Sequence, residues 1–234
     1  MRWIYMLCVV VLTGCTVATG PAPQQEQQQA ATRQTEMPTR AQVQQFSTVV
    51  QRMEPVAERE CRRRAPQLNC DFRIVVDDRP GQQINAFFTQ DRSGRPIIGF
   101  TRPMIAAVRN ADELAFVLGH EAAHHIKGHI PRQQQNAAAG AILLGGLASL
   151  SGASQGVVDQ AADIGAGVGA RSYSKSFELE ADALGTVITQ GAGYSPLRGV
   201  EFFSQIPDPG NRFLGTHPPN AERVETVRRV AAGL

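Results

Sequence analysis

Two histidines four residues apart, His120 and His124, stand with Glu121 inside an amphipathic stretch. On an α-helix, residues i and i+4 lie one above the other with Cβ atoms about 5–6 Å apart. Both imidazoles can then offer a nitrogen to one zinc ion at the usual distance of about 2.0–2.1 Å. Glu121 projects about 100° round the helix from His120, near enough to reach a water on the metal but poorly aimed at the metal itself. Two ligands beside a general base is the layout of a metallopeptidase helix. The surroundings restrict the fold as well. Leu114, Val117, Leu118, Ala122, Ile126 and Ile130 recur at helical spacing, Asn110 with Glu113 reads as an N-cap with a capping box, and Pro131 ends the pattern. This predicts a largely buried helix over 111–130. Buried polar groups need partners, and one metal would supply a partner for both histidines. The competing reading, two solvated histidines on a surface helix, leaves the apolar face unexplained.

The rest of the chain is long enough for one core: 234 residues, 42% hydrophobic and 19% charged. A net charge of +2 is too small to point to nucleic acid as a partner. The beginning reads as an address rather than as fold. Arg2 precedes an apolar run from Trp3 to Leu12 that is too short to span a bilayer, and Leu12-Thr13-Gly14-Cys15 resembles a bacterial lipobox. We therefore expect residues 1–14 to be a lipoprotein signal peptide and Cys15 to carry the lipid. Thr16, in place of the aspartate common in lipoproteins kept at the inner membrane, favours the outer membrane. Residues 15–38, rich in Gln, Ala, Thr and Pro, read as a flexible tether, and 39–234 as one domain. Cys8 leaves with the signal, so Cys61 and Cys70 remain as a pair in a compartment where disulfides form. A second metal site there would lack further ligands.

Within the domain, Thr39 and Gln42 predict a capped helix to about 64, with Val43, Phe46, Val50 and Met53 on one side and Pro55 as a possible kink. Strands are expected over 72–76, 84–89 and 96–101, the last two separated by the turn at Asp91-Arg92-Ser93-Gly94. The Ala- and Gly-rich segment 137–170 reads as a soluble helical hairpin or mobile flap. Its many glycines and its Asp159 and Asp163 argue against a membrane span. Helices near 175–190, 195–206 and 220–232 close the chain.

A catalytic zinc needs a third protein ligand and an open position. A third histidine six residues past the second, preceded by a glycine, is excluded because those positions hold Ile130 and Lys127. His125 and His129 point away from the pair on a continuous helix, which makes them structural or supporting residues. Glu178 and Asp182 share a helix face, whereas Glu180 points about 160° away from Glu178. Such a pair suits one ligand with one acceptor that fixes a histidine tautomer. It serves equally as a solvated acidic helix start.

The zinc-helix motif, Glu178-Leu179-Glu180-Ala181-Asp182, and Thr216-His217-Pro218-Pro219 ahead of Arg223 together resemble the HtpX-like zinc endopeptidases, which include the CAAX prenyl endopeptidases. The similarity runs over about residues 40–232 and includes Asn85-Ala86-Phe87. The resemblance implies a gluzincin-type α+β domain, predominantly helical, with a small β-sheet beside the zinc helix. It implies one zinc per chain on His120, His124 and Glu178, with Glu121 as general base and Asp182 behind a ligand. His217 and Arg223 would lie over the site, in transition-state stabilisation or gating, and whether His217 fills the fourth zinc position stays open. His125 stands where family members often have a small or aliphatic residue. The periplasmic lipoprotein branch that includes BepA and LoiP fits best. The resemblance therefore implies an envelope protease acting on misfolded or misassembled proteins, with outer-membrane assembly machinery as a possible partner. The substrate is expected to pair with an exposed strand edge, for which Pro96 to Thr101 is the candidate. The alternative is a non-proteolytic assembly chaperone that uses the same zinc-containing fold.

Overall fold

The computed structural model describes residues 37–172, 174–208, 210 and 218–234. The expected signal peptide, the lipid-bearing Cys15, most of the tether and His217 lie outside the described residues. The first helix, α1 (Arg40–Arg64), begins where Thr39 accepts from the Gln42 backbone while Gln42 reaches back to the Thr39 N–H. Helix α1 runs on past Pro55, and its buried stripe is Phe46, Val49, Met53, Val56 and Ala57, with Val43 left exposed. A Cys61–Cys70 disulfide, with Cα atoms 5.6 Å apart, ties the end of α1 to the chain entering the sheet. Closing a loop of this size is worth about 2–3 kcal/mol. Reduction, or a Cys61→Ser variant, is accordingly expected to lower the urea midpoint without changing the secondary structure seen by circular dichroism.

Strands β1 (Arg73–Asp77), β2 (Ala86–Gln90) and β3 (Pro96–Thr101) form one sheet in the order β1-β3-β2. β3 pairs with β1 in parallel and with β2 antiparallel, Ala86 standing opposite Phe100 and Phe88 opposite Ile98. The expected edge therefore moves. Pro96–Thr101 is the central strand, nearly all of it buried, and β1 and β2 are the two edges among the described residues.

A short helix α2 (Arg102–Ala107) leads into α3 (Ala111–Ile126), the histidine helix. Asn110 caps it by accepting from the Glu113 N–H, and the Glu113 carboxylate turns back one residue further than a capping box requires, to the Arg109 N–H. The helix predicted over 111–130 is in fact two. Gly128, with φ 63°, is in the left-handed conformation that glycine adopts without a Cβ penalty. It ends α3 and starts α4 (His129–Leu150) at His129. Pro131 does not stop the pattern: it sits in the first turn of α4, where its missing N–H would have no helical partner anyway.

Helix α4 folds back on α5 (Gln155–Ser172) as the expected hairpin, the two backbones touching at Gly140, Gly165 and Gly169. Small residues fill the seam while Ile142, Leu143, Leu147 and Leu150 are exposed. No described helix is long and apolar enough to cross a membrane. Next come α6 (Ser174–Gly191), a short α7 (Pro196–Gly199) with a 3-10 turn (Val200–Gln205), and α8 (Asn220–Ala231). Helices α3 and α6 cross at Gly119 and Gly185, where a Cβ on Gly185 would lie 2.9 Å from the His120 nitrogen. That contact without side chains brings the acidic face of α6 against His120. The protein is thus α+β and predominantly helical, with a three-stranded sheet beside the histidine helix.

Candidate metal centre and cleft

The helix crossing assembles three side chains. His120 Nε2 and His124 Nε2 face each other at 3.0 Å; His120 Nε2 lies 3.5 Å from Glu178 Oε2, and His124 Nε2 lies 3.5 Å from Glu178 Oε1. His120, His124 and Glu178 form a group that could hold a metal ion, their ligand atoms all within 4.8 Å of one another. Tetrahedral zinc with bonds of about 2.0–2.1 Å spaces its ligand atoms about 3.3 Å apart, and these nitrogen–nitrogen and nitrogen–oxygen separations are close to that. The far nitrogens fit too. His120 Nδ1 is 2.9 Å from Asp182 Oδ1, and His124 Nδ1 is 2.8 Å from His129 Nδ1, leaving both Nε2 atoms for a cation.

Asp182, fully buried, accepts from Arg223 Nε at 2.7 Å and from Arg223 Nη2 at 2.8 Å. The guanidinium is itself buried, lies 3.7 Å over the Phe203 ring, and comes within 3.5 Å of Glu178. The structure therefore places Arg223 behind His120, with two of its nitrogens on Asp182. The acidic pair thus faces the core and not solvent, and Glu180 is turned to Arg132 at 2.9 and 3.1 Å.

Electrostatics follow from burial and from these contacts. Burial alone would lower His120, but its hydrogen bonds to Asp182 and Glu178 outweigh that and raise the ring to about 10. Burial, reinforced by the charge of His120, lowers His124 to about 3. Burial would raise Glu178, yet its contact with His120 holds it well below the usual carboxylate range. Glu121 is different: burial pushes it up to about 7, with the charges of His120 and Arg223 pulling the other way.

Two cavities of about 330 and 170 Å³ share Asn85, Ala86, His120, Glu121 and Glu178 as walls. Strand β2 borders both. The Asn85 carbonyl accepts from the Thr101 N–H, so in the antiparallel alternation the main-chain groups of Ala86 and Phe88 turn away from β3.

Of the residues singled out by sequence, His120, Glu121, His124, Glu178, Asp182 and Arg223 come together here, and His217 lies outside the described residues. His125 is remote from the triad. Its Nε2 contacts the Asn69 carbonyl at 2.7 Å, and its ring packs against Phe72 and Phe88. His129, expected to point away on a continuous helix, instead meets His124, because Gly128 redirects the chain. A comparison with curated proteins finds no match. The sequence does match a peptidase family over residues 43–231, a span that contains every member of this cluster. The chain belongs to peptidase family M48.

Proposed function

We propose that this protein is a zinc-dependent endopeptidase of the bacterial envelope, with His120, His124 and Glu178 holding the metal. The observation that carries this reading is the triad of ligand atoms, with both Nδ1 atoms already engaged, opening onto a cleft that Glu121 also lines. Two histidines and a glutamate with room for a fourth ligand form a catalytic rather than a structural zinc set. Zinc held there supplies Lewis acidity to the scissile carbonyl and acidifies water.

The chain's own residues account for the remaining steps. The outward main-chain groups of Ala86 and Phe88 suit pairing with an extended peptide. A segment lying along β2 passes from one cavity to the other, which suits cleavage within a chain. Glu121 takes the proton of the attacking water and passes it to the leaving amine. A carboxyl titrating near 7 is matched to that task at neutral pH. Asp182, gripped by Arg223, keeps the His120 proton on Nδ1. Since Nε and Nη2 of Arg223 are taken up by Asp182, we assign it that positioning work and leave stabilisation of the oxyanion to His217.

Envelope location rests on Cys15 and its flanking sequence, and the Cys61–Cys70 disulfide fits an oxidising compartment. Together they favour the periplasmic lipoprotein branch, anchored by lipid to the outer membrane, with misfolded envelope proteins as substrates. The test is metal analysis with casein cleavage on the full-length chain, wild type beside Glu178→Ala. We expect about one zinc per wild-type chain, cleavage abolished by a chelator, and little zinc or cleavage in the variant. Full proteolysis by metal-free protein would overturn the reading.

A further inference from the structure

We infer that His129 is a positioning residue for His124, an imidazole that accepts the His124 Nδ1–H and so fixes the tautomer whose Nε2 faces the metal. The inference rests on the zinc reading above. Two ring nitrogens 2.8 Å apart, His124 Nδ1 and His129 Nδ1, make a good hydrogen bond only if one bears a proton and the other does not. His124 Nε2 is the atom beside His120 Nε2 and Glu178 Oε1, so it must be bare to bind metal. Its ring proton is then on Nδ1, and His129 Nδ1 is the acceptor.

The same count puts the His129 proton on Nε2. That atom is buried and has no hydrogen-bond partner within the described residues, but Glu180 Oε2 lies 3.6 Å away. Arg132 holds Glu180 in place through two hydrogen bonds. The His129 ring cannot swing freely: it stacks on Phe177 at 4.6 Å and 7°, and Arg132 lies 4.3 Å over the same Phe177 ring. A line of contacts thus runs from His124 through His129 and Glu180 to Arg132. It mirrors the line from His120 through Asp182 to Arg223, with a neutral imidazole where the other has a carboxylate.

Direct ligation by His129 does not fit. Its closest nitrogen meets the side of the His124 ring that faces away from the triad. The sequence achieves this contact through Gly128, which turns the chain so that the first residue of α4 comes back to α3.

The experiment compares full-length wild type with His129→Leu and His129→Gln, measuring zinc affinity by competition with a chromogenic chelator and the visible spectrum of the cobalt-substituted protein. Loss of an acceptor behind a metal-binding histidine costs about 10–100-fold in metal affinity. We expect that loss in His129→Leu, together with a changed cobalt spectrum. His129→Gln, whose amide oxygen can accept the same proton, should recover most of the affinity. Equal weakening in both variants, or zinc affinity in His129→Leu within about threefold of wild type, would overturn the inference. Should either variant fail to fold, long-range proton–nitrogen spectra of wild type labelled at histidine decide it: His129 must show its proton on Nε2 and a bare Nδ1. The opposite tautomer would sink the inference alone, whereas wild type that takes up no zinc would remove the zinc reading and this inference together.

Discussion

Glu121→Gln is expected to lower kcat for casein or peptide cleavage by about 10²–10⁴-fold, the usual contribution of a positioned acid–base group, while zinc content stays at the wild-type level. The glutamine keeps the shape of the side chain lining the two cavities but cannot take a proton. The three atoms of the metal triad are untouched, because Glu121 is not one of them. The same substitution has a signature in stability. The folded chain holds the Glu121 proton to about 7, above the usual 4.5, so this contribution is present below 4.5 and is lost as pH rises through 7. Metal-free Glu121→Gln should therefore unfold at higher urea than wild type at pH 8, with the gap closing at pH 4. Because Glu121 borders open cavities and keeps some solvent, the difference is expected to be about 1–3 kcal/mol rather than the full linkage value. Activity in wild type should fall as pH drops and the base becomes protonated, in an acid limb that bound zinc draws below 7. Undiminished cleavage by the glutamine variant would remove Glu121 from the mechanism.

The largest effect on stability should come from Asp182→Ala. It strands a buried guanidinium, Arg223, whose Nε and Nη2 both donate to that carboxylate, and it strips His120 of its Nδ1 acceptor. Removing one partner of a buried ion pair costs about 3–5 kcal/mol. Zinc affinity should fall by about 10–100-fold at the same time. The double variant Asp182→Ala with Arg223→Leu should regain stability relative to Asp182→Ala, since no charge is left buried alone, yet it should not regain zinc affinity. Urea melts of the two single variants and the double variant, read as a cycle, check this. Additive losses would mean that the pair acts independently, contrary to its geometry.

Much of this site was legible in the chain. His120, His124 and Asn110 could be placed because a helix repeats every 3.6 residues and local spacing alone sets its faces. The disulfide followed from counting the cysteines outside the expected signal and lipid-bearing positions. What failed was long-range or lay at a boundary. Lys127-Gly128 carries a helix-stop signal, a cation in the last turn followed by glycine, but the apolar Ile130 concealed it by continuing the pattern. Strand order depends on partners that no local window contains. A clue was present, though: Pro96–Thr101 is a near-continuous apolar run, suited to a strand covered on both sides, whereas Ala86–Gln90 ends in polar residues, as an edge does. The resemblance put Arg223 at the site, but its grip on Asp182 could not be read from local spacing, since the two are forty-one residues apart in sequence.

The free edge of β2 carries one more consequence. Hydrogen-bonding groups of the main chain are common to every peptide, so a cleft that grips through them is nearly blind to side chains. It is sensitive instead to whether a segment's own backbone is already paired. A residue in a helix or sheet has no groups to offer such an edge, and a residue that has lost its native partners does. Cleavage by a protein built this way would thus be timed by the unfolding of its target: the rate would report how often a stretch of backbone comes free rather than what that stretch spells.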